Sequence, residues 1–185
     1  MIGSLGGTVR RRGGLAAVIA GFFGAVWFGW ARDGLAERYE WALILVIAPS
    51  FLVVGWGAVR AWGPPPAGGE PADPTFRHRS PILVGVEFVV AAAAAWFTGP
   101  ASDVVLAVTT IVIGLHFVPL ARLLGQALLG WAGAAIVVVG LVAWATAAVA
   151  DDSSDPVAGL GTGAVLLAAA LLTLRRTAVG PTVRA

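Results

Sequence analysis

The run VVLAVTTIVIGLHFVPLARLLGQALLGWAGAAIVVVGLVAWATAAVA, from Val104 to Ala150, contains a single charge, Arg122. One crossing of a bilayer takes about 20 mostly apolar residues, so this run is too long for one helix and long enough for two. Arg122 and Pro119 lie near its middle with Gly125-Gln126 just beyond. Proline and glycine are the strongest local breakers of a helical pattern, so the break is placed at Gly125-Gln126. Working outward from there, the same reading divides the whole chain into six apolar spans, at about 14–31, 41–62, 81–99, 102–123, 127–149 and 157–174. The expected fold is all-α: a polytopic membrane protein, one bundle of six transmembrane helices in a single domain.

Helix-start signals agree with this division. Ser80-Pro81 and Asp155-Pro156 each put a capping side chain before a proline at the first helical position. Between the second and third spans, residues 63–79 open with Gly63 and three consecutive prolines and carry two further glycines with Glu70 and Asp73. That composition cannot pack a core, and a disordered cytoplasmic linker is expected there.

The charges orient the bundle. All twelve basic residues are arginine. With the N-terminus inside, Arg10, Arg11, Arg12, Arg60, Arg77, Arg79, Arg122, Arg175, Arg176 and Arg184 fall on the cytoplasmic side. Only Arg32 and Arg38 fall outside, in a loop shared with Asp33, Glu37 and Glu40. This is the positive-inside bias. The expectation is a multi-pass protein of the cytoplasmic (inner) membrane of a bacterium, with both termini cytoplasmic. A composition without Lys or Asn and rich in Ala, Gly, Val and Arg fits a GC-rich bacterial genome. Tryptophans supply a second criterion. Trp27, Trp30, Trp41, Trp96 and Trp144 fall near the outer interface and Trp56, Trp62 and Trp131 toward the inner one, as an aromatic belt requires. The run after Arg10-Arg11-Arg12 is uncharged from Gly13 to Ala31, longer than the roughly 7–15 residues of a signal-peptide core, so it is read as an uncleaved span.

Composition narrows the function. The chain is 58% hydrophobic and 12% charged, with mean hydropathy +0.88. Soluble domains carry roughly 25% charged residues; no soluble segment here could fold into a basic nucleic-acid-binding face. The lipid bilayer is therefore the expected partner, with other membrane proteins or further copies of the chain possible beside it. The absence of cysteine excludes disulfides, thiolate metal sites and thiol nucleophiles.

Two ionisable groups lie well inside spans, Glu87 in the third and His116 in the fourth. Counted at 1.5 Å per residue, both lie about 9 Å from the cytoplasmic ends of adjacent antiparallel helices. A lipid-facing carboxylate is costly, so Glu87 should point inward toward a donor: His116 first, Arg122 second. Thr109 shares the face of His116 seven residues away. Such a pair either titrates as a coupled unit, as a proton relay or pH sensor needs, or fixes helix register as an interhelical hydrogen bond. Pro119 frees the carbonyl of Leu115 beside His116, which could line a small polar site or mark the last turn before a hairpin. Pro49-Ser50, near the middle of the second span, is read as a kink whose freed carbonyl a serine can satisfy.

The stretch Gly114-Leu115-His116-Phe117-Val118-Pro119-Leu120-Ala121 resembles a Gly-Leu-His-Phe-x-Pro-Leu-Ala stretch in small bacterial integral membrane proteins of unknown function. The resemblance covers about ten residues and implies a membrane location, with His116 and Pro119 as positions of interest, and no activity.

Other patterns reduce to simpler readings. Asp151, Asp152 and Asp155 lack the ligand spacing of a calcium loop. Gly159, Gly161 and Gly163 follow no strand, so they read as close helix packing together with Gly21 and Gly24. One intramembrane histidine cannot build a metal cluster, and Ser50 with His116 is the only conceivable dyad, at mismatched depths. No cofactor, metal or catalytic residue is expected. The functional expectation is a non-enzymatic accessory subunit or sensor in the membrane, with a small proton-coupled transporter using Glu87 and His116 as the alternative.

Overall fold

The computed structural model describes residues 3–35, 39–62, 105–150 and 154–178. The expected third span with Glu87, and the expected linker, lie outside the described residues. The described chain is helical: α1 Gly3–Trp30, continued by a 3-10 turn at Ala31–Gly34, then α2 Glu40–Trp62, α3 Val105–Leu124, α4 Ala127–Ala150 and α5 Asp155–Ala178. All five α-helices are long and apolar enough to cross a membrane. The protein is therefore a multi-pass membrane protein whose described core is all-α. In hydrocarbon every backbone polar group must be satisfied within the segment, which leaves the helix as the form such sequences take.

The apolar runs and the helices differ at their ends, for a physical reason. α1 begins well before its apolar run and carries Arg10, Arg11 and Arg12 in helical conformation. α5 continues through Arg175 and Arg176. Hydropathy marks the hydrocarbon boundary, whereas a helix runs on into the headgroup layer while its propensity and caps allow. Two arginines in the last turn of α5 favour the negative end of its dipole. Between α3 and α4 the chain turns at Gly125, whose φ of 63° lies in the left-handed region. The amide of Gln126 there donates to the carbonyl of Ala121 (2.9 Å) and that of Gly125 to Arg122 (3.2 Å).

Glycine contacts give the relative directions of the helices. Gly14 meets Gly57 and Ala61, and Gly21 meets Ser50 and Val54, so α1 and α2 run antiparallel. Gly13 lies against Thr177, Gly24 against Gly163 and Leu166, and Ala31 against Gly159, so α5 is also antiparallel to α1. Gly140 meets Ala107 and Ile111 while Gly114 meets Gly133 and Val137, so α3 and α4 form a second antiparallel pair. Packing proceeds in the order α2, α1, α5, α4, with α3 lying along α4 and touching α5 and α1 more narrowly.

At two of these seams the approach is backbone on backbone. A Cβ on Gly14 would stand 2.7 Å from the amide nitrogen of Ala61, and one on Gly57 2.8 Å from the carbonyl oxygen of Gly14. The α3–α4 pair repeats the arrangement: a Cβ on Gly114 would stand 2.8 Å from the Gly133 carbonyl, and one on Gly133 2.6 Å from that of Gly114. Dispersion and close contact replace the hydrophobic effect as the force between helices in lipid, so such seams carry the bundle. The remaining core is built from small alanines with larger plugs at Trp27, Phe117, Leu129, Ile136 and Leu166, all essentially buried. Gly159 and Gly163, read as packing residues in the sequence, face α1 within the same chain. Gly161 between them faces Val139 of α4.

Arginine is segregated by this architecture. Arg10, Arg11 and Arg12, Arg60 at the end of α2, Arg122 at the end of α3, and Arg175 and Arg176 at the end of α5 all lie at one end of the bundle. Arg32 lies at the other, in the turn after α1.

Candidate functional site

His116 sits on α3 in the half of the bundle nearer the arginine-rich end. Its ring is half-buried, and Nε2 is shielded from solvent. Glu87, its expected partner, lies outside the described residues. Thr109 is buried on the same helix, and its hydroxyl donates to the carbonyl of Val105 (2.8 Å), so that proton is committed within α3. Arg122, in the last turn of α3, is exposed. Pro119 is exposed too, and α3 continues past it to Leu124, so the proline does not end the helix.

The second candidate, Pro49-Ser50, lies within a continuous α2. Pro49 deprives the Leu45 carbonyl of its helical donor, but the Ser50 hydroxyl donates instead to Val46 (3.2 Å). Ser50 is fully buried and its carbonyl faces Gly21 of α1. Its hydroxyl is therefore engaged within α2 at the α1 seam, while His116 is on α3 along α4, and the two are not assembled as a dyad.

The other intramembrane hydroxyls behave alike. Thr110 donates to Leu106 (2.7 Å), Thr146 to Ala143 (2.8 Å) and Thr173 to Ala169 (2.8 Å). Each returns to its own helix, the usual way a hydroxyl is satisfied without water. Two polar atoms are exceptions. Trp27 Nε1 and Thr162 Oγ1 are buried and have no hydrogen-bond partner among the described residues. Trp27 was expected in the outer aromatic belt, but it is fully buried, edge-on to Trp30 at 5.0 Å between ring centroids. Sequence position gives the depth of a ring in the membrane but not the face of the helix it occupies. No group of three or more His, Asp or Glu side chains able to hold a metal occurs among the described residues.

A polar junction that the sequence reading did not single out lies at the arginine-rich end. Arg60 of α2 reaches across to α5, and its Nη1 donates to the carbonyl of Leu174 (2.7 Å) and to Oγ1 of Thr177 (2.8 Å). Its guanidinium carbon stands 5.2 Å from the ring centroid of Trp56, one turn earlier. This accounts for the depth of Trp56, six residues before the end of α2: it lies beneath its own cation. The signal is present as Trp56-Gly57-Ala58-Val59-Arg60, an i, i+4 aromatic–arginine pair.

Comparisons of the chain with protein-family models, with curated proteins and with solved structures returned no match.

Proposed function

We propose that the chain crosses the bacterial inner membrane six times, with both termini cytoplasmic, and serves as a non-enzymatic accessory subunit or sensor. The sixth crossing is supported by the ends of the described helices. α2 finishes at the arginine-rich end, where Arg60 meets Thr177, and α3 starts at the opposite end, since its last turn and Gly125 lie beside Arg12. Trp62 and Val105 therefore lie at opposite ends of the bundle, and an odd number of crossings connects such ends. The 81–99 run is the one apolar segment there of sufficient length.

The observation that carries the non-transport reading is the close packing of the described helices. Glycine crossings close the α1–α2 and α3–α4 seams, and the hydroxyls of Ser50, Thr110 and Thr173 are spent on their own helices. A carrier needs a polar route to its site from both sides. The test is proton flux in proteoliposomes: flux no faster than in empty vesicles fits this reading, and flux that Glu87→Gln abolishes overturns it.

A second reading, a small proton-coupled carrier, draws on one feature, an imidazole nitrogen shielded from solvent within a membrane-spanning helix. It requires Glu87 and His116 to be coupled. An imidazole titration of His116 by NMR in nanodiscs would shift by a unit or more with Glu87→Gln if they are, and stay fixed if they are not.

A further inference from the structure

We infer that Arg10 and Arg60, at the junction of α1, α2 and α5, form a binding site for the phosphate of an anionic phospholipid. Arg60 is held in place before any ligand arrives. Its Nη1 is fixed by Leu174 and Thr177 of α5, and its face rests on Trp56. A guanidinium carries five N–H donors, and those on Nη2 and Nε bond to no described residue. Arg10 lies one turn before Gly14, whose Cβ would stand 3.0 Å from the carbonyl carbon of Arg60, so it shares the face of α1 that meets the end of α2 and carries the same charge there as Arg60. No described carboxylate shares that end of the bundle: Asp33, Glu40 and Asp155 all lie at the other. Two like charges at the edge of a low-dielectric slab repel strongly unless an anion lies between them. A phosphate oxygen pair is the group whose geometry matches a guanidinium fork.

The surroundings point to a lipid as the source of that phosphate. Arg60 lies at the rim of the α1–α2 seam, and the rings of Trp56 and Trp62 beside it are 58% and 68% exposed on the outward side of α2. Exposed indoles mark the headgroup layer, so the junction opens sideways toward lipid at phosphate depth. Basic pockets between transmembrane helices at this level bind anionic headgroups. Arg10 is exposed and makes no polar contact with a described residue, which leaves its side chain available to close over the ligand.

The experiment is a melting titration of the purified full chain in neutral detergent with phosphatidylglycerol, phosphatidylcholine or inorganic phosphate. Phosphatidylglycerol should raise the melting temperature saturably, and phosphatidylcholine should not. Arg10→Gln should raise the half-saturating concentration about fivefold, the effect of one basic group at the surface. Arg122→Gln removes the same charge from the same end on the far hairpin and should change it less than about twofold. Should Arg10→Gln melt differently without lipid, Arg10→Lys serves instead and should also weaken the protection, because it keeps the charge and loses the fork. Equal protection by phosphatidylcholine would overturn the site. So would equal effects of Arg10→Gln and Arg122→Gln, which would reduce it to diffuse surface charge. Full protection by millimolar inorganic phosphate would overturn the lipid as ligand.

Discussion

Two glycines two residues apart on α2 meet opposite fates. A Cβ on Gly55 would meet nothing within 4 Å, whereas one on Gly57 would stand 2.8 Å from a backbone oxygen of α1. Gly55→Ala should therefore stabilise by about 0.5–1 kcal/mol through helix propensity, and Gly57→Ala should destabilise by about 1–3 kcal/mol through overpacking. Steric-trap or denaturant unfolding of the two variants in micelles measures this; equal effects would contradict the seam. Thr162 tests the interior in another way. Its buried hydroxyl lacks a partner among the described residues, so Thr162→Val removes a desolvated polar atom at nearly constant volume. The variant should melt higher, by about 1 kcal/mol of stability. A lower melting point would show that the hydroxyl is satisfied by a group outside the described residues or by water.

At the scale of elements, the turn between α3 and α4 is the joint on which the division of the long apolar run depends. Gly125 holds a φ of 63° with only the Arg12 side chain nearby. Gly125→Ala should cost about 1–2 kcal/mol from the left-handed backbone alone, without disturbing the helices on either side. Thermal unfolding with unchanged far-ultraviolet circular dichroism before the transition is the expected record. The break was legible because Pro119, Arg122, Gly125 and Gln126 concentrate every available stop signal in one short stretch. Helix ends were less legible. α1 and α5 run on past their apolar runs into arginines that hydropathy scores as boundary. Faces were least legible: Trp27 and Trp30 are three residues apart, yet one is buried and the other 44% exposed, because helix azimuth depends on which neighbour each side chain meets. The candidate pair was visible as two ionisable groups in apolar surroundings. Arg60 was not, because its partners Leu174 and Thr177 are far away in sequence.

For the molecule as a whole, the lack of cysteine makes topology directly measurable. Single substitutions Ala67→Cys, Ala36→Cys and Ser153→Cys place one thiol each in the connections between spans. With both termini cytoplasmic, an impermeant maleimide applied to intact spheroplasts should label Ala36→Cys and Ser153→Cys and spare Ala67→Cys until the cells are opened. Labelling of Ala67→Cys from outside would invert the orientation. The packing order also bears on how the protein is made. α1 lies between α2 and α5, so among the described residues the face of α1 carrying Gly24 and Phe28 takes its cover from Gly163 and Leu166 of α5. At ribosomal speeds of about 5–20 residues per second, α5 leaves the ribosome on the order of ten seconds after α1. During that interval the first helix waits in the lipid or against the insertion machinery with its seam open, visible to membrane proteases and chaperones, and only completed synthesis of α5 takes it out of their reach.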